Sequence, residues 1–429
     1  MTTVNKKGLP PLWVGWSIWG LASLLYLLGF YHRVSTNVLA DSLKMDFALT
    51  AAGLGNLSAC YFYSYFAMQL PTGIFVDRWG PRRLLSVGAF VSAIGTLIFA
   101  MAPSPVIAGF GRLLVGGSVA VAYVCMMRLA ADWFPRKYFT IATGCGFMVG
   151  VIGGSAAGAP LVRLLGEHGW RPVMFSLAIL GVLLSILIWW RIRDKPSDMG
   201  YENYGKKTTT ARPLFTFSQS IRTVFSYRNS LLLMFVPGAL SGSVNTFCGL
   251  WGNQFLTSQY GMTVSNAALV CTAVLIVWSF SAPLWGMMSE KMARRKPLFM
   301  SACCIVALSW SCILFFPDLP ISVVIALLLF AGFGAGSLPI SYAFAKESVP
   351  HYLAGTAGGL NNGSSIFGTV LMQPVIGIIL DRHATHGANG ELIYQFSGFQ
   401  YGFGLFIIWS LIGVFFISRL QETYCRQQD

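Results

Sequence analysis

Apolar residues run along this chain in long blocks, separated by short polar clusters. Uncharged stretches cover Gly8–Tyr31, Phe47–Val76 and Leu84–Met101. Further apolar blocks follow at Ser104–Met127 (which holds Arg112), Tyr138–Val162 and Pro172–Trp190. Asn229–Ser289 holds no charge and has room for two helices, with a turn near Ser258–Thr263. The remaining blocks are Pro297–Phe316, Leu319–Ala345, Tyr352–Leu380 and Gln395–Ser418. About 20 apolar residues in a helix cross the hydrocarbon core of a bilayer. The pattern therefore predicts an all-α membrane protein of twelve transmembrane helices, six on each side of a polar stretch from Arg191 to Arg228. The expected units are an amino-terminal bundle (1–193), a cytoplasmic linker (194–228) and a carboxy-terminal bundle (229–429). A surface helix is expected in the linker near Leu214–Phe225. The apolar run after Lys6 and Lys7 is too long for a secretory leader and reads as a first span.

Composition sharpens this picture. Only 10% of the 429 residues are charged and 55% are hydrophobic, against about 25% charged in soluble domains. The lipid bilayer must be the solvent for much of the surface. The formal charge of +14 does not point to nucleic acid, because the basic residues punctuate the apolar blocks instead of gathering on one element. With the amino terminus inside, the inner loops collect Arg78, Arg82, Arg83, Arg136, Lys137, Lys291, Arg294, Arg295 and Lys296. The outer loops keep only Lys44, Arg163, Arg171 and Arg382. By the positive-inside tendency both termini are cytoplasmic, in a bacterial inner membrane. The nine cysteines lie mostly in apolar stretches without CxxC spacing and read as packing residues, with no disulfide.

No phosphate-cradling GxxxxGK[ST], hydrolytic triad or metal-hydrolase spacing occurs, so neither an enzyme nor a cofactor is expected. Energy for transport would come from an ion or substrate gradient. His383 and His386 near Asp381 have too few further ligands for a metal site.

An internal repeat supports two equivalent halves. Gly73-x3-Asp77-Arg78-x3-Arg82-Arg83 follows the second block, and Gly286-x3-Glu290-Lys291-x3-Arg295-Lys296 follows the eighth. Asp132-Trp-Phe-Pro135 and Glu347-Ser-Val-Pro350 form a second pair at nearly the same offset.

The stretch from Gly73 to Leu85 resembles the loop signature of the major facilitator superfamily. Gly111-Arg112-x3-Gly116-Gly117 resembles its fourth-helix arginine motif, and the glycines from Gly146 to Gly158 with Pro160 resemble its fifth helix. Phe30-Tyr31-His32-Arg33-Val34-Ser35 is similar to the first helix of anion:cation symporters. Tyr61–Pro71 and Trp133-Phe134-Pro135 are similar to the phagosomal amino-acid transporter group. The resemblance implies two pseudo-symmetric six-helix bundles around a central cavity, working by alternating access. Many anion symporters carry an acid where this chain has His32. Helix 7 has no Lys or Arg, which disfavours phosphate esters.

Charged groups inside spans are costly and need a reason. Arg33 and Arg112 are the deepest bases, expected at similar depth, with Arg33 about 10 Å below the outer surface if its helix ends near Ala40. They suit a carboxylate, which a guanidinium fork grips with two donors. Arg112 could instead bind the first helix's backbone, and Arg128 could snorkel to headgroups. His32 is the one histidine within a span and could exchange a proton with an arriving anion, making the proton the coupling ion. Asn245, Asn361, Asn362 and Tyr342 offer uncharged partners for the substrate's far end, with Trp251 and Trp278 shaping the cavity. Asn361 and Asn362 are helix neighbours and cannot both face one cavity. Asp77, with Arg78, Arg82 and Arg83, is expected to gate by capping helix 11 at its inner end. Glu290, with Arg295, would do the same for helix 5. These contacts would favour the outward-open state; the motif could instead be a topology determinant. The expected protein is a monomeric, proton-coupled carrier of a small organic anion or amino acid. The competing readings are a drug or siderophore exporter and a non-transporting receptor.

Overall fold

The structure, a computed structural model, describes residues 8–204, 217–350, 353–386 and 392–426. The first crossing is α1 (Leu12–Phe47), and α2 (Ala51–Met101) makes the second and third crossings in one nearly unbroken run. Gly80 divides α2 with φ 75° and ψ 158°. A side chain there would be strained and would also collide with the carboxylate of Asp194. The fourth crossing is α3 (Pro105–Val119) with α4 (Val121–Trp133), and the fifth is α5 (Arg136–Ala156) with α6 (Ala159–His168). Next come α7 (Trp170–Arg191), a 3-10 turn at Pro196–Met199 and α8 (Phe217–Ser226), the linker's surface helix.

The seventh crossing is the most irregular. It joins α9 (Arg228–Leu233), α10 (Val236–Thr246), a π turn (Phe247–Trp251) and α11 (Gly252–Tyr260). After it come α12 (Val264–Met292), α13 (Lys296–Phe315), then α14 (Ile321–Ala335) with α15 (Leu338–Glu347). The last two crossings are α16 (Ala354–Arg382) and α17 (Phe396–Arg419), joined through a short antiparallel hairpin, β1 (Ala384–His386) and β2 (Leu392–Tyr394). Eleven helices of the described residues are long and apolar enough to cross a membrane. The first part of α2, up to Gly80, supplies the twelfth. The protein is a multi-pass membrane protein of two six-helix bundles. The described ends of the chain, Gly8 and Arg426, lie at one face, called here the terminal face; the opposite one is the far face.

Three features differ from the sequence expectation. The first helix does not end near Ala40 but runs to Phe47. Arg33 therefore sits about 21 Å from its far end at 1.5 Å per residue, close to mid-helix. The hairpin adds two strands to an otherwise helical fold. Arg128 does not simply snorkel: its Nε donates to Asp132 Oδ2 at 2.9 Å, one turn along α4. All nine cysteines are free.

The two bundles meet tightly toward the far face. A Cβ on Gly55 of α2 would lie 2.6 Å from the Gln373 carbonyl of α16, and one on Gly377 would collide with the Ala51 carbonyl. Nearer the terminal face the same two helices separate, and Gly73, Gly355 and Gly359 have open space where a side chain would go. The bundles thus enclose a wedge that opens at the terminal face.

Candidate functional site

Arg33 and Arg112 share a bundle and are both buried, 5% and 2% exposed, yet their surroundings differ. Successive helical residues point about 100° apart. His32 and Arg33 consequently face different ways from α1. Arg33 is boxed by aromatic faces, its guanidinium carbon 4.4 Å from the Phe30 ring centre, 5.2 Å from Tyr65 and 5.7 Å from Phe62. Its Nε is buried without a partner. Among the described residues no carboxylate lies within ion-pair distance of it. Aromatic faces attract a desolvated cation; the Tyr61 hydroxyl is within hydrogen-bonding reach of the guanidinium, while its Nε keeps no partner.

Arg112 has already spent much of its fork. Its Nη1 donates to the His32 carbonyl at 2.8 Å and its Nη2 to the Ser58 carbonyl at 3.4 Å, so α3 ties α1 to α2. This is the backbone use the sequence left open. The His32 ring turns the same way and its Nε2 lies 3.1 Å from Thr96 Oγ1. Tyr61 stands beside both guanidiniums, 5.2 Å from that of Arg112, with its hydroxyl donating to the Gly29 carbonyl at 3.0 Å. Arg33 and Arg112, expected at similar depth, thus occupy two separate settings.

Across the wedge, the carboxy-terminal bundle supplies neutral polar groups. The Tyr342 hydroxyl donates to Asn362 Oδ1 at 2.5 Å, and Asn362 Nδ2 donates to Gln69 Oε1 of α2, a side-chain bridge between the bundles. Gln69 Nε2 is buried without a partner. Tyr342 lies within electrostatic reach of Arg33, Tyr65 and Tyr123. Tyr342, Tyr123 and Asn362 are half-buried, whereas Arg33 is buried beyond them. Asn361 faces elsewhere, as neighbouring positions require: its Nδ2 donates to Ser341 Oγ at 2.9 Å, and it lines a small cavity with Ser230 and Val224. Asn245 is 4% exposed, and its carbonyl is 3.5 Å from Gln373 Nε2. Trp251 is fully buried and donates to the Gln373 carbonyl; Trp278 donates to the Ala335 carbonyl.

The expected gating residues sit at the terminal face. The side chain of Asp77 lies outside the described residues. Arg78, Arg83 and Glu290 are exposed. The residues at the amino-terminal caps of α16 and α5, Leu353 and Pro135, offer no side-chain acceptor of their own. Arg82 instead grips the Trp189 carbonyl through Nε and Nη2, at 3.0 and 2.8 Å. Arg295 pairs with Glu347 at 2.7 Å, both largely buried.

Sequence reasoning missed several groups. Asp194 accepts from the Arg82 amide at 2.7 Å, and Glu422 accepts from the Arg295 and Lys296 amides at 2.9 Å each. These are equivalent caps on the third and ninth crossings, and extending the repeat beyond the last span of each half would have found them. Tyr61 and Tyr65, spaced four apart, carried a helical-face signal. Gln69 carried none. Asn37 of α1 binds the π turn across the seam: its Nδ2 donates to the Cys248 carbonyl at 2.9 Å and its Oδ1 accepts from the Asn253 amide at 3.1 Å.

The family model of the Major Facilitator Superfamily matches residues 19–372 and 239–424. The chain is 27% identical over 277 residues, 62% of either chain, to the uncharacterized transporter YybO of Bacillus subtilis (strain 168). It therefore spans under two thirds of that relative's length. It is 23% identical over 407 residues to the probable sulfoacetate transporter SauU of Cupriavidus necator, covering 90% of this chain and 91% of that one. It is also 23% identical over 407 residues to the probable galactarate/D-glucarate transporter GudP of B. subtilis, covering 89% and 88%. Among solved structures, a bacterial homolog of the human lysosomal transporter Spinster, inward-facing and unoccupied, superimposes with a TM-score of 0.76. That match has 18% identity and covers 94% of this chain and 96% of that one. With a family model spanning most of the sequence and twelve crossings in two bundles, this chain belongs to the Major Facilitator Superfamily and is a membrane transporter.

Proposed function

We propose that the protein is a secondary carrier of a small hydroxylated organic anion, moved by alternating access and loaded at Arg33. The observation that carries this is a buried guanidinium without an acidic partner, held by aromatic faces, with an unpartnered Nε. A carboxylate completes such a group in a way that a neutral or cationic substrate does not. Tyr342, Asn362 and Gln69 supply donors and acceptors that suit hydroxyl groups at the other end of the same molecule. The relatives named for sulfoacetate and for galactarate or D-glucarate support an anionic substrate. In this reading residues 1–193 and 229–429 are the moving bundles of a monomer, joined by 194–228. It resides in a bacterial inner membrane, with the terminal face cytoplasmic, as the basic loops favour.

The test is uptake into proteoliposomes of labelled hydroxy acids, sugar acids, amino acids and cationic dyes, beside thermal stabilisation of the purified protein by each. Saturable uptake of a carboxylate that is lost in Arg33→Gln supports the reading. Stabilisation by dyes alone overturns it in favour of an exporter, and binding without uptake favours a receptor. Proton coupling through His32 is the finer part of the proposal. Its expected signature is that His32→Gln removes the pH dependence of anion-driven uptake; an unchanged dependence rules His32 out.

A further inference from the structure

The far-face seam contains a contact that the transport reading does not use. The first four amides of any helix lack intrahelical partners. In α2 those of Ala51, Ala52 and Gly53 are satisfied, two of them from the other bundle. Thr50 supplies Oγ1 to Gly53, and its carbonyl takes the first intrahelical bond, from Leu54. Asp381, at the carboxy-terminal end of α16, accepts from the Ala51 amide through Oδ1 and from the Ala52 amide through Oδ2, each at 2.8 Å. A carboxylate placed there also complements the positive end of the helix dipole. Two further groups close around it. The Lys44 ammonium lies 4.5 Å from the Tyr394 ring centre, across the same seam. Burial, and secondarily the negative charge of Asp381 beside it, push the Tyr394 phenol up to about 12, so it remains a neutral hydroxyl. Asp41 lies within reach of both Lys44 and Tyr394.

The position of this cap gives it leverage. The next described side-chain bridge between α2 and α16 is Gln69–Asn362, about 28 Å along α16 at 1.5 Å per residue. Beyond it, toward the terminal face, the helices part, with open space beside Gly73, Gly355 and Gly359. We infer that Asp381 is a far-face latch: its carboxylate holds the two bundles together in the conformation open at the terminal face and must release α2 before the far face can open. The inference is independent of which substrate is carried.

The test is a distance measurement across the seam in full-length protein in lipid nanodiscs. Spin labels go on Val106→Cys and Asn266→Cys, near the far ends of α3 and α12, in a background lacking the native cysteines. Asp381→Ala removes the acceptor. Ala51→Pro removes one donor while suiting the first position of a helix, and the extended Thr50 before it tolerates a proline. Each variant is expected to raise the longer-distance population by roughly three- to ten-fold, and the double variant to add nothing further. Asp381→Glu should recover part of the wild-type distribution. A wild-type distribution in a folded Asp381→Ala protein overturns the inference. So does full additivity of the two changes, since they would then act on different contacts. If Asp381→Ala fails to fold, Ala51→Pro alone decides: no shift overturns the latch.

Discussion

The environments of Arg33 and Arg112 form a natural experiment inside one bundle. Both guanidiniums are buried in spans of the amino-terminal half, and both lie beside Tyr61. Arg112 gives both Nη groups to main-chain carbonyls of α1 and α2 and works as a brace, with only its Nε unpartnered. Arg33 is surrounded by ring faces, reaches no main-chain carbonyl among the described residues, and has the Tyr61 hydroxyl within reach and its Nε unpartnered. Burial of a charge therefore does not by itself mark a binding group; what matters is whether its hydrogen-bonding capacity has already been spent. A brace should fail in stability when removed, and a receptor in transport.

The largest expected effect is on transport. Arg33→Gln should lower kcat/KM for the carried anion by about 100-fold or more, since a charge-assisted bidentate contact contributes about 3 kcal/mol. Its melting temperature should stay within a few degrees of wild type. Arg33→Lys should recover only part of the loss, because an ammonium lacks the planar fork. The converse profile is expected for Arg112→Met: a loss of about 1–3 kcal/mol in stability, read as lower monodispersity and melting temperature in detergent. The protein that remains folded should retain substrate affinity. If Arg112→Met abolished binding while leaving stability intact, the distinction would vanish.

A smaller effect tests the facing bundle. Tyr342→Phe removes the hydroxyl that meets Asn362, and should raise KM several-fold for a hydroxylated anion, about 1 kcal/mol. For an analogue without hydroxyls it should change KM little. The smallest effect concerns the paired helix caps at the terminal face. Asp194→Asn and Glu422→Gln should each cost about 0.5–2 kcal/mol of stability, measured by thermal unfolding, with little change in substrate KM.

Much of the architecture was legible because lipid imposes length and charge rules on whole blocks of sequence. The twelve crossings, the linker helix and the two-bundle arrangement follow from those rules and from the repeat at Asp77 and Glu290. The end of α1 was not legible. Asp41, Lys44 and Asp46 suggest exit from the bilayer, and the helix simply continues past them as far as Phe47. The candidate site was readable in residue type but not in direction. A sequence places His32 next to Arg33, while only the helix's rotation about its axis sends one to Thr96 and the other to an aromatic box. Asn361 and Asn362 show the same limit, and there the constraint of 100° per residue did foretell that they would part. Gln69 and Asn37 were invisible because one polar residue in an apolar block has no periodic partner; their meaning lies in the opposite bundle.

A π turn holds one residue more than an α turn, and the one at Phe247–Trp251 is closed by the Gly252 amide on the Phe247 carbonyl. Were that surplus residue absorbed into ordinary winding, Gly252–Tyr260 would swivel by roughly 100° and advance by about 1.5 Å relative to α10. Such a swivel would carry the Asn253 amide off Asn37. The hold of the seventh crossing on the first helix is thus tied to the winding of its own backbone.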